Sequence, residues 1–287
     1  MLCALLRFAP FSPARTLHHA RHSRRSTYAR HTVRDQIHRI SPRKRRQDDV
    51  APRGCAEEDD AIQARRGWPS EYDAQRKHRM SWMHWLHDKP KHARWAKDWQ
   101  EAQQAELSRL ETVHFGEKCF VAESAHVFAE PGRDVVVGAG AHIGADVYLH
   151  GPVTLEAGVS VNARCHIDGG NRGIVIGAST RLGPGCYLFA FNHGIDPTMD
   201  IKDQPVSSEG ITIGQDCWLG ASVCVTDGVV IGDHAVIGIG AVVTGNVPEW
   251  AIMGGNPARQ IGDRRTWASR ARGNRANEEE PEGDTIP

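Results

Sequence analysis

From Val137 to Val243 an aliphatic residue returns every six positions. The slots are Val137, Ile143, Leu149, Leu155, Val161 and Ile167, then Ile176, Leu182 and Leu188, then Ile213, Leu219, Val225, Ile231, Ile237 and Val243. Four positions after most slots stands a second small residue: Ala141, Val147, Val153, Val159, Cys165, Thr180, Cys186, Cys217, Val223, Val229, Ala235, Ala241 and Val247. A six-residue period fits neither an amphipathic helix nor long alternating strands. It fits short flat strands joined by tight corners, the signature of a parallel β-helix.

Glycine follows the slot at Gly138, Gly144, Gly177, Gly183, Gly214, Gly220, Gly232 and Gly238. Its tolerance of unusual backbone angles suits corners. If three faces make one turn, Ile213 stacks on Ile231, Leu219 on Ile237 and Val225 on Val243. Each buried aliphatic contributes roughly 1.5–3 kcal/mol, so the slots supply a sufficient core. Such an array depends on stacking between neighbouring turns.

The period breaks twice, briefly at Gly169–Gly173 and at length from Gly194 to Gly210. A long loop within a strict repeat points to function. Before the array, residues 91–112 read as a helix with Trp95, Trp99, Ala102, Leu107 and Leu110 on one stripe. It is expected to cover the open end of the β-helix. The first strands are expected near Val121, and Pro131–Asp134 forms a small excursion. After Pro248 the segment Gly254–Arg259 makes a turn and exit.

The chain divides into an Arg-rich extension (1–79), a helical cap (80–114), the β-helix (115–262) and a charged tail (263–287). Net charge is zero over 287 residues, but the charges are segregated. Residues 1–50 carry twelve Lys and Arg against three Asp, and the end is acidic from Glu278 to Asp284. Neither end has the apolar content for a core, and both read as disordered. The basic end superficially resembles a transit peptide, and the chain carries no sign of a nucleic-acid partner. No run reaches the ~18 apolar residues of a membrane span. The seven cysteines form no CxxC pair, and Cys165, Cys186 and Cys217 occupy inward slots. They read as small hydrophobes in a reduced interior, with neither disulfides nor a zinc site, and cytoplasm is the expected compartment.

The pattern fails most visibly at Phe189-Ala190-Phe191-Asn192-His193. Phe189 replaces a small residue, polar Asn192 stands where a small inward one is due, and His193 sits at the mouth of the long loop. A histidine is the side chain best suited to general-base work near neutral pH. Asp196 and Asp200 are the nearby acids that could orient it.

These features, with Ile213-Gly214-Gln215-Asp216-Cys217-Trp218-Leu219-Gly220, Ile231-Gly232-Asp233, Ala241-Val242-Val243-Thr244 and Gly255-Asn256-Pro257-Ala258-Arg259, resemble the hexapeptide-repeat O-acetyltransferases. The branch resembled acetylates maltose, galactosides, nodulation sugars and surface polysaccharides. The resemblance covers roughly residues 115–262. It implies an all-β, left-handed parallel β-helix assembling as a homotrimer, with sites between subunits. Acetyl-coenzyme A would be the acyl donor, and no metal would be required. His193 matches the family's catalytic histidine, Trp218 its tryptophan beside the pantetheine arm, and Asn162 its asparagine facing the acceptor, with Asn192 beside the base. Thr244, Asn256 and Arg259 match positions near the adenosine end. A backbone N–H at Gly220 or Ala221 would receive the oxyanion. This chain departs from the family at Gly245, where a lysine is frequent, and at Ile239, where a small residue lines the coenzyme groove.

Two other readings share the repeat. A γ-carbonic-anhydrase-like enzyme needs three histidine ligands, but His126, His142, His150, His166 and His234 occupy unlike positions in the hexads. A non-catalytic structural or binding β-helix would leave His193 without a task.

Overall fold

The structure is a computed structural model that describes residues 69–267. The Arg-rich segment before 69 and the acidic tail after 267 lie outside the described residues.

Three parallel sheets wind into a β-solenoid of about six turns. The first face runs from Val113–Phe115 through Val135–Val137, Val153–Leu155, Ile174–Ile176 and Ile211–Ile213 to Val230–Ile231. The second runs from Phe120–Val121 through His142–Ile143, Ser160–Val161, Arg181–Leu182 and Trp218–Leu219 to Val236–Ile237 and a closing hairpin. The third holds His126–Phe128, Tyr148–His150, His166–Asp168, Tyr187–Phe189, Cys224–Val225 and Val242–Val243. The 18-residue stacking is realised as Ile213 on Ile231, Leu219 on Ile237 and Val225 on Val243. Every aliphatic slot and every second-series residue is buried. The ladder begins at Val113, earlier than expected.

The glycines behind the slots have a different cause from the one expected. None has a positive φ. A Cβ at Gly177 would lie 2.5 Å from the Gly214 carbonyl carbon, and one at Gly220 would lie 2.7 Å from the Ile239 nitrogen. Glycine is needed there because successive coils pass too closely for a side chain. The left-handed backbone falls two residues later, at Gly140, Gly158 and Gly240 but also at Asp146, Ser179, Asp216, Ser222 and His234.

Two helices, α1 (Pro69–Trp82) and α2 (Pro90–Leu110), flank a 3₁₀ turn at His84–Asp88. Helix α1 thus starts before residue 80, the expected start of the helical cap. Trp95, Trp99 and Leu107 of α2 pack on the core as expected, but Ala102 and Leu110 face solvent. The stripe is completed instead by Ala96 and by polar side chains. Gln100 donates to the Val121 carbonyl at 3.1 Å and accepts from its N–H at 2.8 Å. Gln104 reaches the Cys119 carbonyl and Ser108 the Val113 carbonyl. The open ladder edge is paired by side chains, which is why a purely apolar stripe misjudged this face.

At the other end, Ala251–Gly254 and Arg259–Asp263 form an antiparallel hairpin around the predicted turn, and its first strand pairs with Val236–Ile237.

Candidate active site

The third-face strand Tyr187–Phe189 is the last regular strand before the long loop. Asn192 and His193 then pair antiparallel with Ser207 and Val206. The loop is wrapped around buried Gln204, which accepts from the Asp196 N–H at 2.7 Å and donates to the Asp196 and Met199 carbonyls at 2.9 Å each. The Ser208 hydroxyl donates to the Ala190 carbonyl and accepts from the N–H groups of Asn171 and Arg172. The two interruptions of the repeat therefore brace each other.

His193 is exposed, and its ring lies edge-on to Phe191 with centroids 6.1 Å apart. Among the described residues its imidazole makes no hydrogen bond. Asp196 is directed elsewhere: its carboxylate accepts from the N–H and hydroxyl of Thr198, bonds that hold it below the usual carboxylate range. Asp200 sits 4.0 Å from Lys202. Neither acid orients the histidine within one chain.

Behind His193 an aromatic column crosses the third face, a feature the sequence reading did not find. Ring centroids are 5.8 Å apart for Tyr148 and His166, 5.1 Å for His166 and Tyr187, and 6.0 Å for Phe189 and Phe191. Beside it His150 Nδ1 meets an Asp168 oxygen at 3.3 Å. These residues occupy outward positions between the inward ones, so the core period carries no trace of them.

The remaining candidates fall into two groups. Asn192, His193 and Thr244 lie where the chain leaves the third face. Asn162, Gly220, Ala221 and Ile239 lie at the corner where it enters that face, and Trp218 is on the second face just before this corner. The two groups thus lie at opposite ends of this face within one subunit. Trp218 is 58% exposed and Ile239 77% exposed, so both project from this edge. The Asn162 side-chain Oδ1 accepts from the Ala163 N–H at 2.8 Å. Asn256 and Arg259 are exposed on the C-terminal hairpin, with the Arg259 guanidinium donating to the Ala258 carbonyl at 2.8 Å.

The two backbone donors differ. The Gly220 N–H is spent on the Ile237 carbonyl at 2.8 Å. The Ala221 N–H makes no hydrogen bond among the described residues. At the same place in other coils the Ala163, Ala178 and Gln215 amides are met by the side chains of Asn162, Glu156 and Asp233, whereas those of Ala139, Ala157 and Ile239, like that of Ala221, make no hydrogen bond among the described residues.

A cavity of about 710 Å³ lies under the cap, lined in part by His87, Lys97, Gln100 and His142, and the 194–210 loop forms none of its wall. Among the described residues no three of His, Cys, Asp and Glu come together in a group able to hold a metal. His126 and His166 lie on the third face, His142 on the second and His234 at a corner. No helix among the described residues is long and apolar enough to cross a membrane.

No family profile matches the chain. It is 38% identical over 100 residues to a probable acetyltransferase of Mycobacterium tuberculosis, a match covering 34% of this chain and 33% of that protein. It is 31% identical over 124 residues to a putative lipopolysaccharide biosynthesis O-acetyl transferase of Escherichia coli, covering 40% of this chain and 63% of the relative. The chain thus spans less than two thirds of the length of either relative. Among solved structures it is similar to an N-acyltransferase of Bacillus cereus in complex with dTDP and 3-hydroxybutyryl-CoA. That match has 21% identity and a TM-score of 0.51, covering 61% of this chain and 95% of the other. This likeness speaks for the fold, a left-handed parallel β-helix. The sequence resemblance to hexapeptide-repeat O-acetyltransferases is borne out by these relatives.

Proposed function

We propose that the protein is an acetyl-coenzyme A-dependent O-acetyltransferase acting on a hydroxyl of a sugar or glycan-like acceptor. His193 serves as general base. The observation that carries this reading is the placement of His193: an exposed imidazole fixed by strand pairing at the root of a braced loop, in a chain whose relatives are named acetyltransferases.

The residues fit that chemistry. His193 takes the proton of the acceptor hydroxyl as the oxygen attacks the thioester carbonyl directly, without an acyl-enzyme. The proton then passes to the departing sulfur. The Ala221 N–H meets the oxyanion that develops, having no competing partner in its own chain. Trp218 and Ile239 offer apolar contact to the pantetheine arm, while Thr244, Asn256 and Arg259 serve the adenosine end, with Arg259 available to a phosphate. Asn162 and Asn192 supply amide groups for the acceptor.

The separation of the two groups supports assembly. His193 and Ala221 lie at opposite ends of the third face, so one chain does not bring base and oxyanion donor together. A second copy can supply the missing half, and a homotrimer with three such seams closes the arrangement. We place this trimer in the cytoplasm.

The test is an acceptor screen with release of free coenzyme A as readout. Turnover with a sugar or glycan supports the proposal. Silence across sugars, glycans, serine and hydroxylated antibiotics contradicts it.

A further inference from the structure

The 194–210 loop is held to the coil that follows it by one carboxylate, Asp227, at the corner between Val225 and Val230. Asp227 Oδ1 accepts from the Glu209 N–H and the Gly210 N–H, each at 2.9 Å. Its Oδ2 accepts from the Glu209 N–H at 3.0 Å and from the Asn192 side-chain amide at 3.3 Å. The carboxylate therefore grips both roots of the loop: Asn192, the residue before His193, and Glu209–Gly210, where the loop returns.

These amides need such a partner. The inter-coil ladder resumes only at Ile211, whose N–H reaches the Gly173 carbonyl. The N–H groups of Glu209 and Gly210 precede that point. Ser208 also ties the return side to the Ala190 carbonyl, two residues before Asn192, but it does not reach Asn192 itself. Asn192 and His193 are held by their short pairing with Ser207 and Val206 and by Asp227. Among the described residues no lysine or arginine forms an ion pair with Asp227, so its acceptor capacity is directed at the loop.

We infer that Asp227 is a positioning residue for His193, fixing the imidazole by tying both loop roots to the rigid solenoid. This rests on the reading of His193 as the base. Asp227 touches neither acceptor nor donor; it acts through Asn192.

The test uses the full-length chain and three variants: Asp227→Ala, Asp227→Asn and His193→Ala. Asp227→Ala should lower kcat about 10- to 100-fold, the scale of misplacing a reacting group by about an ångström. The KM for acetyl-coenzyme A should change less than ~2-fold, because Trp218 and the hairpin are untouched. Asp227→Asn should recover most of the rate, since its carbonyl oxygen still accepts from the Glu209 and Gly210 N–H groups. Hydrogen exchange at the Glu209 and Gly210 amides should quicken in Asp227→Ala, a readout independent of activity.

Full activity in Asp227→Ala alongside an inactive His193→Ala overturns this inference alone. So does an equal loss in the Ala and Asn variants accompanied by a fall in Tm, which would mark a merely structural role. A fully active His193→Ala, or a wild-type protein without turnover, overturns the underlying reading and this inference with it.

Discussion

Pro184 lies one coil beneath Ala221 in the same corner, two residues past stacked Leu182 and Leu219, and its carbonyl accepts the Ser222 N–H at 2.9 Å. The fold therefore already accommodates proline at this position, and proline has no N–H to donate.

Ala221→Pro removes the proposed oxyanion donor and keeps the corner. The expected result is a fall in kcat of ~10²–10³-fold, the usual cost of losing one such donor, with Tm nearly unchanged. Steady-state coenzyme A release and a thermal melt check it together. Unchanged kcat would remove Ala221 from the chemistry.

Two glycines should respond unequally to the same substitution. In Gly177→Ala the new Cβ falls 2.5 Å from backbone of the next coil, which cannot yield without opening the stack. In Gly240→Ala it meets nothing within 4 Å, although φ is +68°. The second change costs about 1–2 kcal/mol for the left-handed backbone. The first should cost at least the ~1–3 kcal/mol typical of overpacking. Urea titrations at equal protein concentration rank them. The reverse order would refute close coil approach as the reason for glycine behind the slots.

The cap should be acid-sensitive. Buried His84, His87 and His142 cluster with ring centroids 5.5 and 5.7 Å apart, and Asp88 lies 3.3 Å from His142. Burial, then the neighbouring His142, lowers the His84 pKa to about 4, while Asp88 opposes the shift and Arg181 adds to it. Burial also lowers His87 and His142. The unfolded chain binds these protons near pH 6.5 and the folded chain resists them below that, His84 to about pH 4. Stability is therefore present above ~6.5 and lost as pH falls through that window, by about 3 kcal/mol for His84 alone. A Tm series from pH 7 to 4.5 should slope downward, and His84→Phe should flatten it. A flat wild-type series would contradict the buried neutral cluster.

The solenoid was legible because burial imposes its period on the sequence: Leu219 and Ile237 show their stacking by spacing alone. The loop and His193 were legible as departures from that period. The caps at Gln100 and Gln104 were not, because they pair backbone groups and obey no apolar rhythm. The aromatic column was hidden because outward positions such as Tyr187 and Phe189 are free of the core's demands. Asp227 could not be found from the repeat either, since its partners, Asn192 and Glu209, lie 35 and 18 residues away. The division of candidate residues between two ends of one face emerges only when the coil is closed.

The central claim is that the His193 imidazole takes the acceptor's proton. It is tested most directly by acceptor-dependent release of coenzyme A in wild type and His193→Ala, with a melt of each. The account predicts a fall of ~10²–10⁴-fold with Tm unchanged, since the ring is exposed and makes no hydrogen bond among the described residues. Equal rates in the two proteins would contradict it.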